Sequence, residues 1–222
     1  VSYFPGFEPR LEPGRALQCE QLVGTTRWLQ RGGTDAGMPL LPPGRYSLKV
    51  GVNWKDLRSN AVNFELVPPK GTELEAVSLL EDEQLQRFLT EGGWRPPESV
   101  APLLERYPDT TYAKYARMRT ILWDASHYKH KTPMNLSEPE AEQVRDVLRD
   151  AFDFVSAYPD IPLNDNILLE CARLQDLLRD EPAATETLQQ LITAYPDGDA
   201  REEAEGYLER LREALTPLPH RR

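Results

Sequence analysis

Two histidines stand three residues apart in the stretch His127-Tyr128-Lys129-His130-Lys131. On a helix that spacing puts both imidazoles on one side, where a metal ion can bridge them. No cysteine or carboxylate cluster lies nearby in sequence to complete a coordination set. Lysine and histidine at the end of a helix also suit the helix dipole, so the expectation is a solvated helix end and no metal. Acids cluster at Glu138, Glu140 and Glu142 and again at Glu202, Glu203 and Glu205. Paired carboxyls do acid–base work only when burial or a charged neighbour moves their pKa. These fall on polar helical faces, where they stay ionised. The chain has no Gly-rich phosphate loop, nucleophile elbow or His-Glu-x-x-His pair, and Ser47 and Ser59 have no histidine within a motif's reach. The expectation is a chain that is not an enzyme and holds no cofactor.

Aromatic residues are the other candidates. Trp54, Trp94 and Trp123 are anchors of the kind interfaces use, although such rings more often seal a joint or fill a core. A partner-binding surface, if the chain has one, is expected at Trp94 and on the helical face carrying Tyr112, Tyr115 and Trp123.

These residues need elements to position them. Residues 1–69 read as β structure. Tyr46, Leu48, Val50 and Val52 alternate with Ser47, Lys49 and Gly51, and Val62, Phe64 and Leu66 alternate with Asn63 and Glu65. Period two is the strand signature. A looser alternation runs from Ala16 to Val23, a fourth strand is expected around Trp28, and Pro- and Gly-rich joints separate the runs. Leu40-Leu-Pro-Pro-Gly-Arg-Tyr46 resembles the tyrosine corner of immunoglobulin-like and fibronectin-like sandwiches, with Tyr46 opening a late strand. That resemblance implies an antiparallel β-sandwich. With 69 residues and four or five strands, it is either a reduced sandwich or one whose first strands precede Val1.

Val67-Pro-Pro-Lys-Gly-Thr-Glu73 reads as a boundary, with Thr72 placed to cap a helix and Glu75 three residues on. Everything after it reads as helical: Glu73–Leu89, Val100–Tyr107, Thr111–His127, an insert around 128–136, Glu138–Ala157 after a Ser137 cap, Asn164–Asp180, Pro182–Ala194 and Ala200–Leu215. The fold class expected is α+β in two modules, with a sandwich over 1–69 and an all-α array over 70–222.

Tyr-Pro-Asp occurs three times, at Tyr107, Tyr158 and Tyr195, each time between helical patterns. Proline cannot continue the first helix, and the aspartate or the next polar residue can cap the second. The trio is therefore expected to be a turn between paired helices. Nine positions after each tyrosine stand Ala116, Ile167 and Ala204, residues suited to close helix packing. The second and third trios lie 37 residues apart, near the tetratricopeptide period of about 34.

The stretches Leu103–Leu122 and Leu188–Leu211, with those spacings, look like tetratricopeptide-type repeats over roughly 97–215. They are most similar to the divergent kind found in bacterial envelope proteins such as the outer-membrane-assembly lipoproteins. The resemblance implies binding of a protein or peptide, a scaffold role, and a periplasmic or extracellular setting, with the cytoplasm left open. The alternative is an accessory, non-catalytic region of a larger secreted or envelope enzyme.

Composition sets outer limits. Net charge is -10, and it is uneven. Residues 136–222 hold 20 acids and 9 bases, whereas 1–69 hold 6 and 8. An acidic surface repels phosphate backbones, so nucleic acid is not expected as a partner. No apolar run approaches the ~18 residues of a membrane span. The chain begins at Val1 and not at Met, which leaves room for a removed leader or lipid anchor. Two cysteines, Cys19 and Cys171, fall in different expected modules, so a disulfide between them is not expected.

Overall fold

The computed structural model describes residues 43–48, 51–52, 57–58, 62–91, 95–161 and 163–215. They divide into two compact units, one ending at His127 and the other beginning at Tyr128.

In the first unit β1 (Gly44–Leu48) pairs antiparallel with β4 (Val62–Leu66), with Tyr46 opposite Phe64, and β2 (Gly51–Val52) pairs with β3 (Leu57–Arg58). These two-stranded ladders correct the expected α+β fold. The described residues are mostly helical, with eight helices, and they contain no β-sandwich. The alternation did find extended segments, in Gly44–Leu48, Gly51–Val52 and Val62–Leu66. A period of two reports that a segment is extended with one face covered, but says nothing of how many strands join it or whether a second sheet exists. The reading of Tyr46 as a tyrosine corner loses its basis with the sandwich. The expected strands at Ala16–Val23 and around Trp28 lie outside the described residues, as do Cys19, Trp54 and Trp94.

Four helices follow in this unit: α1 (Thr72–Leu79), α2 (Glu83–Glu91), α3 (Val100–Arg106) and α4 (Thr111–Ser126). The single helix expected over Glu73–Leu89 is two. The Leu80 amide bonds back only three residues, to Val77, at 2.9 Å, and the Asp82 carboxylate accepts the Gln84 amide at 2.9 Å, which starts the next helix. The expected Thr72 cap does not form. Gly71 is the N-cap residue, with φ 56° and ψ -133° and no side-chain cap bond, a conformation that only glycine adopts without strain. Leu85, Phe88, Leu103, Ala113 and Ala116 lie at the centre of the core of this unit.

The second unit is built from α5 (Glu138–Ala157), α6 (Asn164–Leu177), α7 (Glu181–Ala194) and α8 (Arg201–Leu215). α6 is its axis: ten of its fourteen residues are buried, and α5 and α7 both pack on it, with α8 against α7. The joint between α6 and α7 is a Schellman turn. The Asp180 amide reaches the Gln175 carbonyl at 2.9 Å and the Arg179 amide reaches Asp176 at 2.8 Å, with Arg179 left-handed at φ 63°, where glycine is usual. Asp180 then caps α7 by accepting the Ala183 amide at 3.2 Å.

The three Tyr-Pro-Asp trios share one geometry. Tyr107, Tyr158 and Tyr195 are the C-cap residues of α3, α5 and α7, with φ/ψ of -133°/45°, -134°/64° and -124°/65°. Each tyrosine amide bonds the carbonyl four residues back, at 3.1, 2.9 and 2.9 Å. Each tyrosine carbonyl then accepts the amide three residues on, from Thr110, Ile161 and Gly198, at 3.0, 3.2 and 3.1 Å. Proline fits the second position of such a turn because its φ is already set. Across each turn the flanking helices pack on one another. Ala116, Ile167 and Ala204 are all fully buried.

Candidate partner-binding site

Three of the four residues expected to meet a partner are on α4. With 3.6 residues per turn, Tyr112, Tyr115, Arg119 and Trp123 fall within an arc of roughly 80°, and all four are half-buried. Trp94 lies outside the described residues. The opposite arc of α4 is anchored by Ala113, Met118, Ile121 and Ala125. Thr110 fixes the start of the helix, its hydroxyl donating to the Tyr107 carbonyl at 2.7 Å and accepting the Ala113 amide at 3.2 Å.

The stripe changes character along its length. Tyr112 and Tyr115 pack their rings against the core. Burial, joined by the nearby Glu73 carboxylate, raises the Tyr112 phenol above its ordinary value, and burial alone raises Tyr115. Glu73 also accepts the Thr111 amide at 2.7 Å, which ties α1 to the start of α4. Arg119 was missed in the sequence. Its Nε donates to the Leu89 carbonyl at the end of α2, at 3.2 Å, and burial lowers its pKa. Trp123 meets His127 edge-on, ring centroids 5.0 Å apart, and His127 Nδ1 lies 3.0 Å from the Trp123 carbonyl. Phenols pushed upward are poor bases and poor nucleophiles at neutral pH. What the stripe offers is flat aromatic area beside a guanidinium, the composition of protein-binding hot spots.

Most of the remaining candidate acids have structural partners, and the histidines face solvent. His127 and His130 are exposed. Among the described residues no group of three or more His, Cys, Asp or Glu side chains is gathered as a metal site would need. Glu138 and Glu142 both pair with Arg145, at 3.5 and 2.7 Å, Glu205 with Arg201 at 2.8 Å, and Glu203 with Arg173. Glu140 accepts from Lys131 at 2.8 Å and from the Ser137 amide and hydroxyl at 2.9 and 2.7 Å. Lys131 first, then Ser137, bring its carboxyl down to about 2. Cys171 is buried on α6 with its thiol pushed up to about 12, by burial first and the adjacent Glu170 second, so it is an inert packing residue. Tyr207 donates to Asp176 at 2.6 Å, and burial together with that bond raises its phenol.

One buried carboxylate escaped sequence reasoning. Asp165 is 2% exposed. Its Oδ2 accepts the Ala200 amide at 3.0 Å, capping the entry to α8 from 35 residues away, while its Oδ1 accepts the Asn166 amide at 2.8 Å. A Cβ at Gly198 would meet Asp165 Oδ2 at 2.5 Å, so the glycine admits the carboxylate. The first trio is followed by the local polar cap that was expected, at Thr110. The third borrows Asp165, and the second leads through Leu163 at φ 72°, with no side-chain cap, into α6. The glycine after the third trio was the available signal, but nothing in the sequence ties it to position 165. No protein-family model matches this chain, and no curated protein matches it.

Proposed function

We propose that this chain is a non-enzymatic scaffold that binds a protein or peptide, built on tetratricopeptide-like helix pairs and working in a bacterial periplasmic or extracellular setting. The observation that carries this reading is the threefold recurrence of one turn geometry, at Tyr107, Tyr158 and Tyr195, each between helices that pack on one another. Arrays of paired helices present broad surfaces and bury little of them internally. The contact is assigned to the α4 stripe of Tyr112, Tyr115 and Trp123. Half-burial supports this assignment: the rings are held in place yet keep area that a partner can cover. The likeness is one of fold, and function follows from the site.

The test is affinity capture with the full chain. A partner held through this face is lost with Trp123→Ala and Tyr115→Ala and retained with Glu209→Gln, an exposed change on α8. Capture that is indifferent to the α4 changes, in variants that melt like the parent, removes the site. Capture that stays empty from envelope and secreted fractions counts against the scaffold role.

A further inference from the structure

The segment after α4 has an unusual means of attachment. Lys129 reaches Glu170 on α6 at 3.1 Å, Lys131 reaches Glu140 on α5 at 2.8 Å, and the Tyr128 hydroxyl donates to Gln143 on α5 at 3.3 Å. Burial holds it only weakly. Residues 129, 130 and 132–135 are exposed, and Met134 is 90% exposed. The segment also carries its own turns. The Lys131 amide bonds the Tyr128 carbonyl at 2.9 Å, the Thr132 amide donates to Asn135 Oδ1 at 2.7 Å, and the Asn135 amide donates to the Thr132 carbonyl at 3.1 Å. It is thus a preformed basic clip lying on an acidic body, since residues 138–215 hold 20 acids and only 7 bases.

The two carboxylates that receive it differ. Glu170 is sheltered, its side chain 13% exposed, and is already shared with Arg173 Nη1 at 2.7 Å, while the other end of Arg173 pairs with Glu203 on α8. Glu140 is more open at 31% and is shared with Ser137. Removing Lys129 or Lys131 therefore leaves each carboxylate with a partner and costs the helices little. The lysine end of each pair stays partly in water, so the pairs are weak and are screened by salt.

We propose that residues 128–136 are an electrostatic strap, closed on α5 and α6 by Lys129–Glu170 and Lys131–Glu140, which opens while the four helices beneath it stay folded. Opened, the strap becomes free chain between α4 and α5. Closed, it is a fixed part of the second unit. Competing cations or basic peptides open it, and low ionic strength closes it.

Hydrogen exchange on the full chain, read by mass spectrometry, tests this. Glu140→Gln and Glu170→Gln are the informative variants. Glutamine at 140 can still accept from the Ser137 amide, so that change isolates the charge. Each is expected to speed exchange of amides 129–136 about two- to fivefold at low salt, with α6 exchange unchanged. Raising salt to about 1 M brings the parent to the same rate, and the double variant does not respond to salt. Strap exchange indifferent to salt and to both substitutions overturns the proposal. So does exchange of the strap and α6 rising in step, which would make the segment part of one cooperative unit.

Discussion

Helices α4 and α6 use similar material for opposite ends. α6 buries ten of its fourteen residues, α4 five of its sixteen. The buried set of α6 includes Asn164, Asp165 and Gln175 alongside its leucines. Asn164 donates to the Tyr158 and Pro159 carbonyls at 2.8 and 3.2 Å, and Asp165 caps α8. These bonds of Asn164 and Asp165 offset the cost of leaving water and lock turns together, whereas Gln175 Oε1 finds no hydrogen-bond partner among the described residues. α4 instead keeps large aromatic rings half-covered on one stripe. One helix is committed to the fold, and the other keeps aromatic area uncovered, which the proposed partner contact would use.

The sharpest way to break this comparison is to truncate one ring in each unit. Phe154, fully buried on α5 with its ring 5.1 Å from that of Tyr158, should cost about 3–5 kcal/mol on Phe154→Ala. Trp123→Ala should cost about 1 kcal/mol, because a half-buried ring leaves a site that water can fill. Chemical denaturation measures both. Equal losses would put α4 in the core.

Glycine substitutions give the next effect, and here the sign decides. Gly198→Ala drives a methyl into Asp165 and breaks the Ala200 cap, for a loss of about 2 kcal/mol. Gly206→Ala, inside α8 with nothing nearer than Arg210 Nη1 at 3.9 Å, should gain about 0.5–1 kcal/mol from helix propensity. Two losses, or two gains, in thermal melts would contradict the packing described around Asp165. Arg179→Gly follows, with a gain of about 1 kcal/mol as the left-handed residue at the end of α6 is relieved.

The smallest effect concerns the start of α5. The Glu140 carboxyl titrates near 2 when folded, against an ordinary 4.5. Between those values the unfolded chain binds the extra proton, so stability rises with pH. The contribution is complete above about 4.5 and is lost as pH falls toward about 2. A pH series of melts should show this slope in the parent and lose it in Glu140→Gln.

Much of the helical half was legible because its signals are local. Glu138–Ala157 is found with the bounds its apolar spacing and Ser137 predict, and the three trios punctuate helices as proline chemistry requires. The split between α1 and α2 was hidden because the leucine spacing runs across it, while the break rests on one aspartate cap. The sandwich failed for the opposite reason, since strand number and sheet pairing are long-range facts that no alternation contains. The α4 stripe was half-legible. Its aromatic spacing is visible, but Arg119 bonds the Leu89 carbonyl, a contact set by how α2 meets α4. The Asp165 cap was illegible because it joins residues 35 apart.

The central claim is that α4 offers a surface that α6 does not need for the fold. A photo-crosslinking residue placed at Trp123, and separately at Glu209 on the exposed side of α8, tests it most directly in cells making the full chain. The account predicts a discrete adduct with one protein partner from position 123 and none from 209. Adducts from 209 with nothing from 123, in protein that melts normally, would contradict it.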